Sequence, residues 1–283
     1  MSAKSSKDKA HFWRDSLLGD LEFLHANYVT HSFVRHAHDE FAIGVIYAGV
    51  QAVGYRRADQ LLMPAGSIAA INPGEMHTGY AANPEEGWRY RMFYPKPDLL
   101  KRVFVEITGR EHDVPFLTQP VIFDDRLARK IYRMHCVLES PETSAIERET
   151  YLLDVLAQLV IGYADSRPVI LPLQPEDSIV QRIRNYLMLN YRHNVSLTEL
   201  SGLTNLSKFY VCRVFKEAMG LPPHAYLNLI RVHQAKQLLK LGIPIAEVAL
   251  NVGFFDQTHL NKRFKGVLGV TPRQYAKGAT RTY

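Results

Sequence analysis

Two hydrophobic patterns follow one another along the chain. Between residues 21 and 94, runs such as FAIGVIYAGVQAVGY and GSIAAINPG are rich in β-branched and aromatic residues, and Gly, Pro, Asn and Asp separate them at short intervals. This spacing predicts an antiparallel β-sandwich or barrel. Over residues 124–139 and 144–164 the apolar positions recur with the helical period, so two helices are predicted to follow the strands.

The second of these helical segments carries an apolar stripe formed by Leu152, Leu156, Leu159 and Tyr163. A twofold dimer needs one self-complementary patch, so the stripe predicts a homodimer that forms through this helix. The alternative is that the stripe packs on the β-domain of its own chain.

Changes in composition predict where the domains begin and end. Residues 1–20 are mostly polar and are expected to form an N-terminal arm. Residues 165–177 contain three prolines and are expected to form a semi-stiff linker. The predicted organisation is therefore an arm, a β-domain with two helices over 21–164, the linker, and an all-helical domain over 178–283.

The helical domain contains an internal repeat. RVFKEAMGLPPHAY at 213–226 and KRFKGVLGVTPRQY at 262–275 share the order Phe, Gly, Pro, Tyr at identical spacing. A repeated spacing of this kind indicates a repeated supersecondary unit. The matching positions are Phe215, Gly220, Pro223 and Tyr226 in the first copy and Phe264, Gly269, Pro272 and Tyr275 in the second.

A short helix and a tight turn are predicted before each copy. Before the first, Ser196 and Glu199 have the spacing of a capping box, and the chain turns near Asn205. Before the second, Pro244 opens a helix and Gly253 turns the chain. A short helix, a tight turn and a longer helix form a helix-turn-helix, so the domain is predicted to contain two.

The charge is distributed unevenly between the two halves. Residues 178–283 hold 15 Lys and Arg against 4 Asp and Glu, whereas the whole chain has a formal net charge of +6. A basic domain attached to a mildly acidic one favours a polyanion partner for the C-terminal half, although a solvated basic surface has the same composition. Together with the doubled helix-turn-helix, this predicts binding to double-stranded DNA.

The pattern IAEVALNVGFFDQTHLNKRFKGVLGVTPRQY closely resembles the AraC/XylS family of transcription regulators. The resemblance covers roughly residues 178–278 and implies a double helix-turn-helix domain that binds specific DNA sequences. It also implies RNA polymerase as a further partner.

The second helix of such a unit enters the major groove by its N-terminus, which selects the candidate DNA contacts. Arg suits guanine, Gln and Asn suit adenine, and Lys suits guanine or phosphate. The alternative for each residue is a contact to phosphate or water. The candidates are Lys208, Phe209, Cys212 and Arg213 in the first unit, of which the last three are base-reading positions by resemblance, and Gln257, Thr258, His259, Asn261 and Lys262 in the second.

A histidine pattern in the N-terminal half predicts a ligand site. His36, His38 and Glu40 alternate and therefore share one face of a predicted strand, and the turn PGEMH brings His77. HxH on one strand with PGxxH on another resembles the cupin (jelly-roll) barrel of AraC-type sensor domains. In metal-binding cupins a carboxylate lies about four residues after the second histidine, where this chain has Ala42.

Three interpretations of this pattern remain open. The histidines, with Glu40, could hold a divalent metal through nitrogen and oxygen ligands. They could instead form a metal-free effector pocket, in which Arg35 and Arg91 would supply further hydrogen bonds. The third interpretation is that the histidines only satisfy neighbouring backbone groups. The candidate side chains are Arg35, His36, His38, Glu40, His77 and Arg91.

The expected function is a regulator, not an enzyme, whose barrel senses a small-molecule effector and controls DNA binding or activation. A cupin oxygenase or isomerase fused to a DNA-binding domain is the rival, as is a constitutive DNA-binding protein whose barrel only dimerises. Cys136 and Cys212 lack metal-site spacing, and the sequence shows no signal peptide or membrane-length apolar run. We therefore expect a cytoplasmic protein without disulfides or membrane association.

Overall fold

The computed structural model describes residues 8–55, 59–166, 168 and 177–279. The chain divides into two compact units. The N-terminal unit contains the described residues up to 139 together with 151–168, and the C-terminal unit contains 140–150 and 177–279. Residues 140–150, which the sequence places with the β-domain, belong with the C-terminal unit. Most of the predicted linker lies outside the described residues.

The N-terminal unit is built mainly from antiparallel strands, as the period-two runs predict. A single 3-10 turn over Ser16–Leu18 connects the first two strands. The strands are β1 (Lys9–Asp15), β2 (Leu21–Tyr28), β3 (Ser32–His36), β4 (Ala42–Tyr55), β5 (Asp59–Pro64), β6 (Ile68–Ile71), β7 (His77–Ala81), β8 (Trp88–Tyr94) and β9 (Val121–Ile122).

Strand β4 takes part in both halves of the β-structure. Its first half pairs with β6 and β8 in the order β1-β2-β8-β4-β6-β9, and its second half pairs with β5 and β7. Gly49 lies at the change with a φ of +69°, which glycine adopts without steric penalty. The predicted antiparallel architecture is confirmed, but the described strands do not close into a continuous barrel.

The described part of the predicted N-terminal arm is an ordered strand. β1 pairs with β2 over its whole length, from Lys9 opposite Asn27 to Asp15 opposite Leu21. Pairing with β2 satisfies the backbone groups on one side of β1, which explains why a polar segment is held in the sheet.

Three helices come after β8 in the chain. They are α1 (Pro97–Thr108), which lies between β8 and β9, and α2 (Asp125–Leu138) and α3 (Ala145–Tyr163), which follow β9. Of the three, the sequence predicts only α2 and α3, since prolines such as those around α1 are typical of loops. Pro97 instead occupies the first turn of the helix, where its missing N–H costs nothing. Asp124 caps α2 by accepting hydrogen bonds from the backbone N–H groups of Arg126 and Leu127.

The apolar stripe on α3 is part of the core, which corrects the predicted dimer face. The relative exposures of Leu152, Leu156 and Leu159 are 5%, 1% and 0%. Tyr163 is half-buried, and its hydroxyl donates to Asp124 Oδ2 at 3.0 Å. Side chains that are already buried within one chain cannot form a self-complementary surface, so the alternative of intramolecular packing is correct for the leucines.

The C-terminal unit is all-helical over its described residues, as predicted. The repeated Phe and Tyr pack against one another in both copies, with ring centroids 5.4 Å apart for Phe215 and Tyr226 and 5.5 Å apart for Phe264 and Tyr275. Its helices are α4 (Asp177–Leu189), α5 (Leu197–Thr204), α6 (Lys208–Met219), α7 (Pro223–Lys240), α8 (Ile245–Asn251), α9 (Gln257–Leu268) and α10 (Pro272–Ala279), with the start of α3.

Within the described part of the chain, no helix has both the length and the apolar character needed to cross a membrane. Cys136 and Cys212, which both lie among the described residues, are not disulfide-bonded.

Candidate functional site

The first helix-turn-helix consists of α5 and α6. The predicted capping box starts α5, since Ser196 N donates to Glu199 Oε2 at 2.6 Å and Glu199 N donates to Ser196 Oγ at 3.2 Å. Asn205 makes the turn with a φ of +57°, a left-handed conformation that asparagine tolerates better than most residues. Ser207 then caps α6 by accepting from Tyr210 N at 3.3 Å.

The second helix-turn-helix consists of α8 and α9 and turns at Gly253. Its φ is +88°, and a Cβ atom there would lie 2.7 Å from the carbonyl oxygen of Tyr191. Glycine is therefore required by conformation and by close backbone approach. Asp256 caps α9 by accepting from His259 N at 2.7 Å. Both turns are where the sequence predicts them.

The candidate DNA contacts on α6 are all partly exposed, and the guanidinium of Arg213 lies over the ring of Tyr210, 6.0 Å from its centroid. The opposite face of α6 is buried. Its buried residues are Val211, Val214 and Phe215. The partly exposed candidates are Lys208, Phe209, Cys212 and Arg213.

On α9, most of the candidate contacts lie on an accessible face. Gln257, Thr258 and Lys262 are exposed and Asn261 is half-buried, whereas Leu260 and Phe264 are in the core. These four polar residues stay candidates for contact with bases or phosphates.

His259 does not lie on that face, which corrects the prediction. Its relative exposure is 4%, and its ring stands edge-on to Phe254 with centroids 5.0 Å apart. Arg263 Nε donates to His259 Nε2 at 3.3 Å. Burial lowers the pKa of His259, so the ring is neutral and packs in the interior of the unit.

In the N-terminal unit, the structure brings His36, His38 and His77 together. One ring nitrogen from each histidine lies within 4.8 Å of the others. The three rings line a cavity of about 60 Å³, and two of the strands that form it, β3 and β7, pair with each other. The other walls are mainly apolar and aromatic, and they include Phe33, Val53, Met63, Tyr90, Met92 and Tyr94.

Two of these imidazoles are oriented by the backbone. His36 Nδ1 lies 2.7 Å from Val34 O, and His77 Nδ1 lies 2.9 Å from Glu75 O. Donation to a carbonyl places the proton on Nδ1 and leaves the lone pair on Nε2. Burial lowers the pKa of His38 to about 4, and it also lowers the pKa of His77. Neutral imidazoles with a backbone-fixed orientation fit the donor set that a divalent transition metal prefers.

The remaining candidates of the pocket lie elsewhere. Glu40 lines a different cavity, together with Arg14, Lys96 and Arg102. It is not part of the histidine group in the described residues. Arg35 is exposed and does not line the histidine cavity. The predicted use of these two residues beside the histidines is therefore not what the structure shows.

Arg91 also points away from the histidine cavity. Tyr90 and Met92, its neighbours on β8, line the cavity, and alternation along a strand places Arg91 on the other face. There its Nη1 donates to Glu139 Oε2 at 2.7 Å and to His135 Nδ1 at 3.0 Å. Burial opposes ionisation of Glu139, but the hydrogen bond from Arg91 lowers the pKa of that carboxyl to about 2. Arg91 therefore holds α2 on the sheet.

Comparison with known proteins assigns both units. A family model described as an AraC-like ligand binding domain matches residues 18–156, and one described as a helix-turn-helix domain matches residues 200–278. The HTH-type transcriptional regulator YbfI of Bacillus subtilis is 32% identical over 232 residues, which are 82% of this chain and 82% of the relative. The chain belongs to the AraC family of transcription regulators.

Further similarities of this AraC-type regulator cover shorter stretches. The HTH-type transcriptional regulator MtrA of Neisseria gonorrhoeae is 40% identical over 83 residues, 29% of this chain and 28% of that protein. The C-terminal domain of AraT, a response regulator from Geobacillus stearothermophilus, is 32% identical and covers 37% of this chain and 87% of that one, with a TM-score of 0.34. By the two family matches, the AraC-type regulator binds DNA and carries an N-terminal ligand-binding domain.

Two acidic residues of this regulator's C-terminal unit, Glu147 and Glu149, were not recognised from the sequence. Both were assigned to the helix of the ligand-binding domain, yet residues 140–150 belong to the DNA-binding unit. One local signal was present, because Ser144 and Glu147 have capping-box spacing at the start of α3. The signal marks a helix start but carries no information about which unit the helix packs in.

Proposed function

We propose that the regulator senses a small effector in the histidine cavity and that the effector changes how the two helix-turn-helix units engage DNA. The observation that carries this proposal is the convergence of His36, His38 and His77 on an otherwise apolar cavity. Apolar walls with a few oriented polar groups are the usual composition of a ligand site. An effector shifts the regulator between states only by binding one state more tightly than the other.

The histidine nitrogens limit the class of effector. An organic effector would have to donate hydrogen bonds to the Nε2 lone pairs of His36 and His77. A divalent transition metal is the second candidate, because three imidazole nitrogens within 4.8 Å of one another match a three-histidine ligand set. His36, His38 and His77 would hold the ion, which would bind a further small ligand at an open position.

A cavity of about 60 Å³ sets the size of what fits. By this kind of measure a cavity needs roughly 10–15 Å³ to hold one water molecule, so an ion or a small polar molecule fits without rearrangement. A larger organic effector would have to move side chains of the wall. We therefore expect metal ions and small polar molecules to act before sugars or aromatic acids.

The test is a thermal-shift titration of protein purified without a histidine tag, followed by elemental analysis. Binding at the cavity should raise the melting temperature in proportion to the logarithm of ligand concentration. Zn²⁺, Ni²⁺ and Mn²⁺ are titrated beside a panel of small organic molecules, and each active ligand is then added to a DNA-binding assay. A ligand that stabilises the protein but leaves its DNA affinity unchanged would refute the sensing role.

The competing proposal is a constitutive regulator, whose DNA-binding unit binds its operator whether or not an effector is present. It predicts that no ligand changes DNA affinity and that all variants of the three histidines regulate like the native protein. A reporter gene under the protein's own operator separates the two proposals, because only a sensor gives a ligand-dependent output.

A further inference from the structure

The first turns of α3 are acidic and pack within the DNA-binding unit. Residues 140–150 belong to that unit, whereas residues 151–163 of the same helix belong to the ligand-binding unit. Ala145 N, at the start of the helix, donates to Asn194 Oδ1 at 3.0 Å. The segment 140–150 therefore has defined polar contacts with the unit that reads DNA.

Glu147 anchors this segment on the second helix-turn-helix. Its side chain is fully buried and accepts hydrogen bonds from Asn228 Nδ2 of α7, at 3.2 Å, and from the guanidinium of Arg263 on α9. Burial alone would raise the pKa of Glu147, but the positive charge of Arg263 keeps it below its ordinary value. An ionised glutamate in the interior needs such partners, so Glu147 and Arg263 hold one another in place.

Glu149 connects the same segment with the first helix-turn-helix. It accepts hydrogen bonds at the start of α5, from Leu197 N at 2.5 Å and from Thr198 Oγ1 at 3.1 Å. Its Oε1 also forms an ion pair with Lys208 Nζ at 2.8 Å. Lys208 is the first residue of α6. The Glu149 side chain is 14% exposed and the Lys208 side chain is 33% exposed.

The position of Lys208 gives this ion pair a consequence for DNA binding. The second helix of a helix-turn-helix meets the major groove with its N-terminal end, where phosphates flank the groove. The Glu149 carboxylate neutralises the Lys208 ammonium, and it would repel a phosphate that approached the same ammonium. The Glu149 carboxylate and a DNA phosphate therefore compete for the same cation.

We propose that residues 140–150 act as an intramolecular competitor of DNA, in which Glu149 masks Lys208 and Glu147 anchors the segment. Because α3 continues into the ligand-binding unit, the state of that unit can set how firmly the segment is held. This last step rests on the proposed effector sensing, whereas the masking of Lys208 does not.

The test uses the full chain and a labelled 30-base-pair duplex of arbitrary sequence, since phosphate contacts do not depend on sequence. Glu149→Gln should bind this duplex about 3- to 10-fold more tightly at low salt. The slope of the logarithm of the association constant against the logarithm of salt concentration should steepen by about the amount that one phosphate contact contributes. Glu142→Gln is the matched control, because it removes the same charge from the same segment and Glu142 has no ion-pair partner among the described residues. An equal gain in both variants would reduce the effect to net charge and overturn the proposal.

A second variant and a measurement on the native protein keep the test decisive. In a Lys208→Gln background, Glu149→Gln should give no gain, and a gain that persists there would contradict masking of Lys208. Hydrogen exchange of the native chain should rise in residues 140–150 when the duplex is added, because the segment loses its contacts. Unchanged or slower exchange in these residues would overturn the proposal even if Glu149→Gln failed to fold. No effector is added in any of these assays, so their outcome does not depend on effector sensing.

Discussion

His36 and His77 lie opposite one another on paired antiparallel strands, and each imidazole donates to the carbonyl oxygen two residues before it. The same local device therefore orients both rings on β3 and β7. The proton on Nδ1 is used within each strand, which leaves the two Nε2 lone pairs for a ligand. His38 completes the group from the segment between β3 and β4.

His77→Ala should abolish the stabilisation by the effector or metal while leaving the affinity of the ligand-free protein for DNA unchanged. The substitution removes one of three ligand nitrogens, and the DNA-binding unit has a core of its own. Thermal shift and DNA-binding titrations measure the two quantities. His112→Ala, at a half-buried histidine of the same unit that does not line the histidine cavity, is the control. A full ligand response in His77→Ala would show that the ligand binds elsewhere.

Leu156→Ala should lower the free energy of unfolding by about 2–5 kcal/mol, because it leaves a cavity in a fully packed core. The residue is 1% exposed. Both tryptophans of the chain, Trp13 and Trp88, lie in the N-terminal unit, so their fluorescence during urea unfolding reports its stability. Gln158→Ala, on the outer side of α3, should change the stability by no more than about 0.5 kcal/mol. A small effect of Leu156→Ala with loss of self-association would restore the dimer-face interpretation.

Acid should destabilise the N-terminal unit through His135. The ring is fully buried, and burial lowers its pKa to about 3, whereas an unfolded histidine titrates near 6.5. Between these values the unfolded state binds more protons, so the free energy of unfolding falls as the pH falls, by at most about 1.4 kcal/mol per pH unit.

His135→Gln should remove this component, since glutamine cannot take up the proton. The comparison is made by tryptophan fluorescence between pH 6.5 and pH 5, where Glu139, with its pKa of about 2, stays ionised. Identical pH slopes for the variant and the native protein would show that His135 is not protonated on unfolding.

Arg213→Ala should cost about 1–3 kcal/mol on the specific operator and relax the preference at one base pair. Lys262→Ala should instead weaken binding to all sequences and reduce the salt slope by about one. Both side chains are accessible on their reading helices. Selection from a random duplex pool, followed by salt titration, measures both quantities. An equal loss on every sequence for Arg213→Ala would identify Arg213 as a phosphate contact.

Local patterns determined much of this fold from the sequence alone. Capping at Ser196, the turns at Asn205 and Gly253, and the repeated Phe and Tyr depend on neighbouring residues, so their spacing was enough to predict both helix-turn-helix units. Alternation likewise predicted the strands, and the two short histidine motifs predicted the histidine group.

Tertiary packing decided the features that depend on residues distant in sequence. Periodicity shows that a face is apolar, but it does not show whether the chain itself covers that face, as it does for Leu156. The side of β8 that carries Arg91 depends on strand register. The burial of His259 depends on packing against Phe254 and on Arg263, whose guanidinium is held by Glu147. The assignment of Glu147 and Glu149 to the DNA-binding unit came from partners about 50 to 115 residues away, which no local pattern encodes.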